Sequence, residues 1–154
     1  MDQPARSLSV IYCDDVRAEI GDKLSFMGVY TGDMTVPEFP FALPKLSVFV
    51  EVTTGKDQPF SALRVFLIRD GSITEQMNEI PAAEVASRMA TNNEAMKRAP
   101  LADTYSRHVI AVHFLLMPFV VPGPTTLQVR ALCDDEQMLE SRVLRINRLA
   151  VFDT

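Results

Sequence analysis

Glycine, cysteine and histidine are scarce in this chain, and their scarcity excludes several chemistries at once. The six glycines, Gly21, Gly28, Gly32, Gly55, Gly71 and Gly123, stand singly. No glycine-rich loop is available to cradle a phosphate. Two cysteines, Cys13 and Cys133, make no disulfide framework. Two histidines, His108 and His113, come without a nucleophile signature such as G-x-S-x-G. Lysine and arginine number 15 against 20 acidic residues, and the net charge of −5 is broken by no basic run. That balance argues against nucleic acid as a ligand. The longest apolar-rich stretch, Val109 to Val121, contains His113 and Pro118 and falls short of the roughly 20 residues that cross a bilayer. The opening residues, Met1-Asp2-Gln3-Pro4-Ala5-Arg6, lack the basic and apolar regions of a secretory signal. The expectation is a cytoplasmic, reduced protein with no cofactor, no nucleic acid partner and no membrane partner.

What is present reads as one domain over residues 1–154, with 47% apolar and 23% charged residues, values ordinary for a globular chain. Alternation marks strands at Ser7–Cys13, Leu24–Tyr30, Leu46–Thr54, Leu63–Arg69, Tyr105–Val121, Leu127–Cys133 and Leu139–Asn147. Ser72–Glu79 is a weaker return strand after the Asp70-Gly71 hairpin signal. Leu24, Phe26 and Tyr30 are expected on one face of their strand. Thr31–Pro44, with Pro37, Pro40 and Pro44, reads as a long loop. One segment differs in kind. Pro81–Ala90 is rich in helix formers, Val85, Met89 and Met96 form one apolar stripe, and Lys97-Arg98 before Pro100 suits a helix end. The pattern predicts an antiparallel two-sheet β-sandwich of about seven to nine strands, with one helical crossover at about 81–99.

A doublet that occurs twice, Cys13-Asp14-Asp15 and Cys133-Asp134-Asp135, is the most distinctive local feature. Both copies sit where an apolar run ends, and Asp suits turns. The turn reading is therefore preferred. A calcium site built from Asp14, Asp15, Asp134, Asp135, Glu136 and Asp33 is the alternative, and it requires both doublets at one end of the sandwich. Neither thiol reads as activated, because neighbouring carboxylates raise a thiol pKa. Cys133 shares a face with Leu127 and Val129 and should be buried. His108 and His113, five apart in a strand, point to opposite faces and cannot share a metal. His113 is expected at the core edge and His108 in solvent. A small hydrolase using Asp14 or Asp15 with His108 is the enzymatic alternative. Phe39 and Phe41, set among prolines, are the candidate binding residues; they are expected either to cap an open end of the core, which is favoured, or to anchor a partner.

The segment Tyr12-Cys-Asp-Asp-Val-Arg17, with Gly21-Asp-Lys, Gly28-Val-Tyr, Gly32-Asp33 and Pro37, resembles the opening of a family of small bacterial proteins of uncharacterised function. Pro44-Lys45-Leu46 and the C-terminal order of Pro122-Gly123, strand, acidic turn and strand are similar too. The resemblance implies a β-sandwich and brings no activity or ligand. The function expected on these grounds is a non-enzymatic interaction module acting on a protein partner or on its own copies. It would act through a sheet edge, the proline-aromatic loop or a self-association face.

Overall fold

A computed structural model describes residues 5–98 and 107–150. The chain is mainly β. Its strands are β1 (Ser7–Glu19), β2 (Lys23–Tyr30), β3 (Asp33–Val36), β4 (Phe41–Leu43), β5 (Leu46–Gly55), β6 (Leu63–Arg69) and β7 (Ile73–Ile80). After the helix α1 (Ala82–Arg98) come β8 (Arg107–Leu116), β9 (Phe119–Val121), β10 (Thr125–Cys133), β11 (Gln137–Glu140) and β12 (Leu144–Arg148). One sheet has the order β2-β1-β5-β8. The second runs β3-β12-β10-β6-β7 with β11 also on β10, and β4 pairs β9 in a small third sheet.

Period-two patterning builds the core. In β8 every second residue from His108 to Leu116 is buried, and in β10 Thr125, Leu127, Val129, Ala131 and Cys133 are. These faces meet across the sandwich, with Val48, Val50 and Val52 of β5 against Leu63, Val65 and Leu67 of β6 in one continuous cluster. Tyr12 ties the two sheets directly. Its ring is fully buried, and its hydroxyl lies 3.2 Å from the Leu127 carbonyl and 3.1 Å from that of Arg142. The helix closes the side between β7 and β8 by burying Val85 and Met89, one turn apart. The side chain of Met96 and the helix stop expected at Pro100 lie outside the described residues.

Several expectations need correction. Twelve strand segments are described rather than seven to nine, because short strands form where prolines suggested loop. The Thr31–Pro44 stretch contains β3 and β4. Cis peptide bonds at Phe39-Pro40 and Met117-Pro118 lead into the two strands of the third sheet. The sandwich is not wholly antiparallel, since β12 runs parallel to β3. The single C-terminal strand is two. The ladder to β10 slips by one residue between Arg130↔Glu140 and Leu127↔Leu144. Ser141 sits at this bulge, its hydroxyl accepting the Val129 amide at 2.9 Å.

The first doublet is not a turn at all, for β1 runs through Asp14-Asp15 to Glu19. The second doublet is one. Asp134 and Asp135 have φ of 55° and 58°, and the Glu136 amide reaches the Cys133 carbonyl at 3.1 Å. Positive φ at two successive residues is the geometry of a type I′ hairpin, which Asp tolerates. Asp134 also holds the end of the sandwich closed. It accepts the Ser61 amide at 2.7 Å, the Ser61 hydroxyl at 2.9 Å and the Ala62 amide at 3.2 Å. The Arg6 guanidinium, 4% exposed, meets it at 2.5 Å. Arg6 in turn reaches Thr54 Oγ1 and the Gln58 and Pro59 carbonyls, and stacks 5.0 Å over Phe60. Burial alone would raise the Asp134 carboxyl, but these donors outweigh it and the pKa falls.

Asp134→Asn keeps the turn geometry and strips the charge, leaving Arg6 buried without its counter-ion. It is expected to cost about 2 kcal/mol, lowering the melting temperature by roughly 4–8 °C. Asp135→Asn, whose carboxylate pairs with the half-exposed Arg64, should change stability by less than about 0.5 kcal/mol. Parallel thermal melts of the two variants check both values.

Candidate functional site

β1 is shared between two partners, and the exchange happens at the first doublet. Ser7 to Cys13 pair with β5, while Tyr12 to Glu19 pair with β2. Only Tyr12 and Cys13 belong to both ladders. Beyond Cys13, β1 and β2 leave the four-stranded sheet as a two-stranded arm with its tip at Ile20-Gly21-Asp22.

The arm does not run straight on. Phe26 is level with Val16, and Phe49 is level with Ile11. Five residues of extended strand put about 16 Å between those levels. The Phe26 and Phe49 rings are nevertheless 5.2 Å apart, edge to face. The arm therefore curls back over the sheet. The Phe26 ring covers Phe49, which is buried although it lies outside the central core cluster.

The Asp pair stands at the bend. Asp14 lies opposite Gly28, and a Cβ at Gly28 would come within 2.1 Å of Asp14 Oδ2. Gly28 also has φ of +66°, so both the conformation and the space require glycine. Tyr30 Oη donates to Asp14 Oδ1 at 2.7 Å, and burial together with that carboxylate pushes the Tyr30 phenol far above its ordinary pKa. Arg142 donates to the Tyr30 carbonyl at 2.9 Å and stacks 5.0 Å over Tyr12. Asp15 is held by Lys45 and by Arg17 Nε at 3.0 Å, which pull its carboxyl down from 3.8 to about 2. Burial and Lys45 together lower the pKa of nearby His113.

The arm also gathers exposed apolar groups. Ile20 is 95% exposed, and Leu24, Met27 and Val29 keep 44–46% of their surface. Leu24, Phe26 and Tyr30, expected on one face, differ in burial: Leu24 is exposed and the other two are half-buried. Among the described residues no second layer covers the exposed Leu24, whereas Phe26 packs on Phe49 and Tyr30 on the core margin. β2 hydrogen-bonds to β1 on one side and to no described strand on the other.

The sequence-level sites separate in space. His108 pairs with Thr54, and Ser47, seven residues away on β5, pairs with Cys13, so about 23 Å of sheet divides His108 from Asp15. His108 is also fully buried rather than in solvent, and neither of its ring nitrogens has a hydrogen-bond partner among the described residues. His113 takes the outward side of β8, because burial in that strand alternates with the even residues inward. The pairing of Asp14 or Asp15 with His108 is not formed. Nor is a calcium site pooling Asp14, Asp15, Asp134 and Asp135. Arg6 binds Asp134, and Asp14 lies eight residues on from Arg6, about 26 Å in extended chain. Asp33 pairs with Arg145. Phe39 and Phe41 are half-buried and pack against the core. Cys133 is buried with its pKa raised to about 11, chiefly by burial, and burial raises Cys13 likewise. Sequence reading named a sheet edge without saying which, and missed the curl. The signal for the curl was Gly28, a lone glycine inside an alternating run.

A carboxyl held at low pKa stabilises its contacts above its ordinary titration range and releases them as pH falls through the lowered value. For Asp15 that window runs from 3.8 down to about 2. The Arg17 and Lys45 resonances are expected to shift in one step with a midpoint near 2, not near 4. Asp15→Asn should abolish the step, as followed by nuclear magnetic resonance over an acid titration.

No described helix is long and apolar enough to cross a membrane. A comparison with curated protein sequences finds no match. A family model does match, from residue 8 to residue 147, which takes in both doublets, the bend and every strand of both main sheets but the last residue of β12 and the first of β1. The chain thus belongs to DUF6941, a family of unknown function.

Proposed function

We propose that this protein is a non-enzymatic interaction module and that the β1–β2 arm is its contact element. The observation that carries this reading is the company kept by the open edge of β2. Natural edge strands are blunted by charge, proline, bulges or brevity. β3 and β11 are four residues long. β8, the far edge of the same sheet as β2, has the helix α1 against it and gives its Leu115 carbonyl to the Gln76 side-chain amide at 3.0 Å. β7 carries Glu75 and Glu79 and meets a register irregularity at Leu67/Ile68. β2 has eight residues, one charge at Lys23, and exposed Leu24, Met27 and Val29. A two-stranded hairpin is marginal in water unless a third strand or another layer joins it. Strand addition at β2 would supply one through backbone hydrogen bonds.

The proline-aromatic loop is a weaker contact element, since Phe39 and Phe41 pack on the core and β4 is knitted to β9. A cytoplasmic setting suits two unpaired, buried thiols.

The test is affinity capture with the wild-type chain and with a Leu24→Lys/Met27→Lys variant as baits, each probed for host proteins and for a differently tagged copy of the chain. The expected result is a stoichiometric companion kept by the wild type and lost from the variant, with melting temperatures that agree. Identical captures from both baits would overturn the arm as the contact element.

A further inference from the structure

We infer that the strand added to β2 is β2 of a second copy, antiparallel about a twofold axis at Met27. This rests on the reading of the arm as the contact element and names its occupant. An isologous antiparallel ladder places residue i of one copy opposite residue j of the other with a constant sum, and its axis passes through a self-opposed residue. Centred on Met27, the register sets Leu24 opposite Tyr30, Ser25 opposite Val29 and Phe26 opposite Gly28. No like charges face each other, because Lys23, the single charge of β2, lies opposite Thr31. The same operation about Met77 on another long edge, β7, would set Glu75 against Glu79.

Charge favours the pairing at its ends. Each tip, Asp22-Lys23, is brought to the Tyr30 end of the other copy. That end carries one group of each sign, with Asp14 bonded to the Tyr30 hydroxyl and Arg142 bonded to its carbonyl. The partner's ends thus offer Asp22 an arginine and Lys23 a carboxylate. The two arms together form a four-stranded ribbon continuous with both sheets, which removes the open edge. It also sets the exposed Leu24, Met27 and Val29 of each copy beside side chains of the other.

Met27→Cys tests the register. Facing residues of an antiparallel pair have Cα atoms about 4.5–5.5 Å apart, within the range a disulfide spans. The two native cysteines are buried and do not compete. The wild type is expected to scatter light as twice its 17.2 kDa mass. Met27→Cys should close an intermolecular disulfide under mild oxidant, Met77→Cys should not, and Met27→Lys should be folded and monomeric, with a melting temperature that no longer rises with protein concentration as the wild type's does. A monomeric wild type with no Met27→Cys crosslink overturns the dimer, and the bait comparison then decides separately whether the arm binds another protein. A dimer that survives Met27→Lys overturns both the register and the arm as the self-contact.

Discussion

The transfer of β1 from one partner to another is the constraint on which the rest of the structure depends. A strand of 13 residues is longer than the sheet it belongs to, so its ladder with β5 stops at Cys13 and its ladder with β2 takes over. The first half of β1 supplies Val10 and Tyr12 to the core. The second half leaves the sheet and meets it again where Phe26 packs on Phe49. Everything local follows from that mismatch. The arm needs a bend, the bend needs Gly28, and the carboxylates on either side of it, Asp14 and Asp15, tie it down through Tyr30 in one direction and Lys45 and Arg17 in the other.

The two Cys-Asp-Asp copies serve opposite ends of the sandwich by different means. At one end Asp134 gathers two amides, a hydroxyl and the buried Arg6 guanidinium, joining the start of β1 to the β5–β6 loop and the β10–β11 turn. At the other end Asp14 and Asp15 tie down the arm, whose Phe26 is pressed on Phe49. Both are arrangements of satisfied groups. A carboxylate saturated with donors and held at low pKa is a poor general base, and a thiol pushed up by burial is a poor nucleophile. In both doublets the Asp side chains fix the groups they bond: Asp14 holds Tyr30, Asp15 holds Arg17 and Lys45, and Asp134 holds Arg6 and the Ser61 and Ala62 amides.

Strong periodicity made the sandwich legible in the sequence. β5, β8 and β10 alternate cleanly, and the helix was visible in its composition and in the Val85 and Met89 spacing. What alternation could not reveal were the short strands. β4 and β9 have three residues each and no independent pattern; they exist because their neighbours bring them together. Periodicity correctly put the two histidines on opposite faces, but which face was inward was misjudged. Flanking Arg107 suggested solvent for His108, yet the even residues of β8 face the core and carry the imidazole inward with them. The first doublet misled for a related reason: Asp is rare within strands, and only the Asp14–Gly28 pairing makes it acceptable there. A residue's role at a bend depends on its cross-strand neighbour, which sequence order conceals.

The curled arm is the centre of this account, and ring-to-ring contacts test it most directly. With phenylalanine rings selectively labelled, nuclear Overhauser cross-peaks between Phe26 and Phe49 are predicted, as their centroids lie 5.2 Å apart. An arm continuing straight from the sheet would hold the two levels about 16 Å apart and give no cross-peak. Its absence in the folded protein would contradict the bend at Asp14 and Gly28, and with it the placement of the β2 edge.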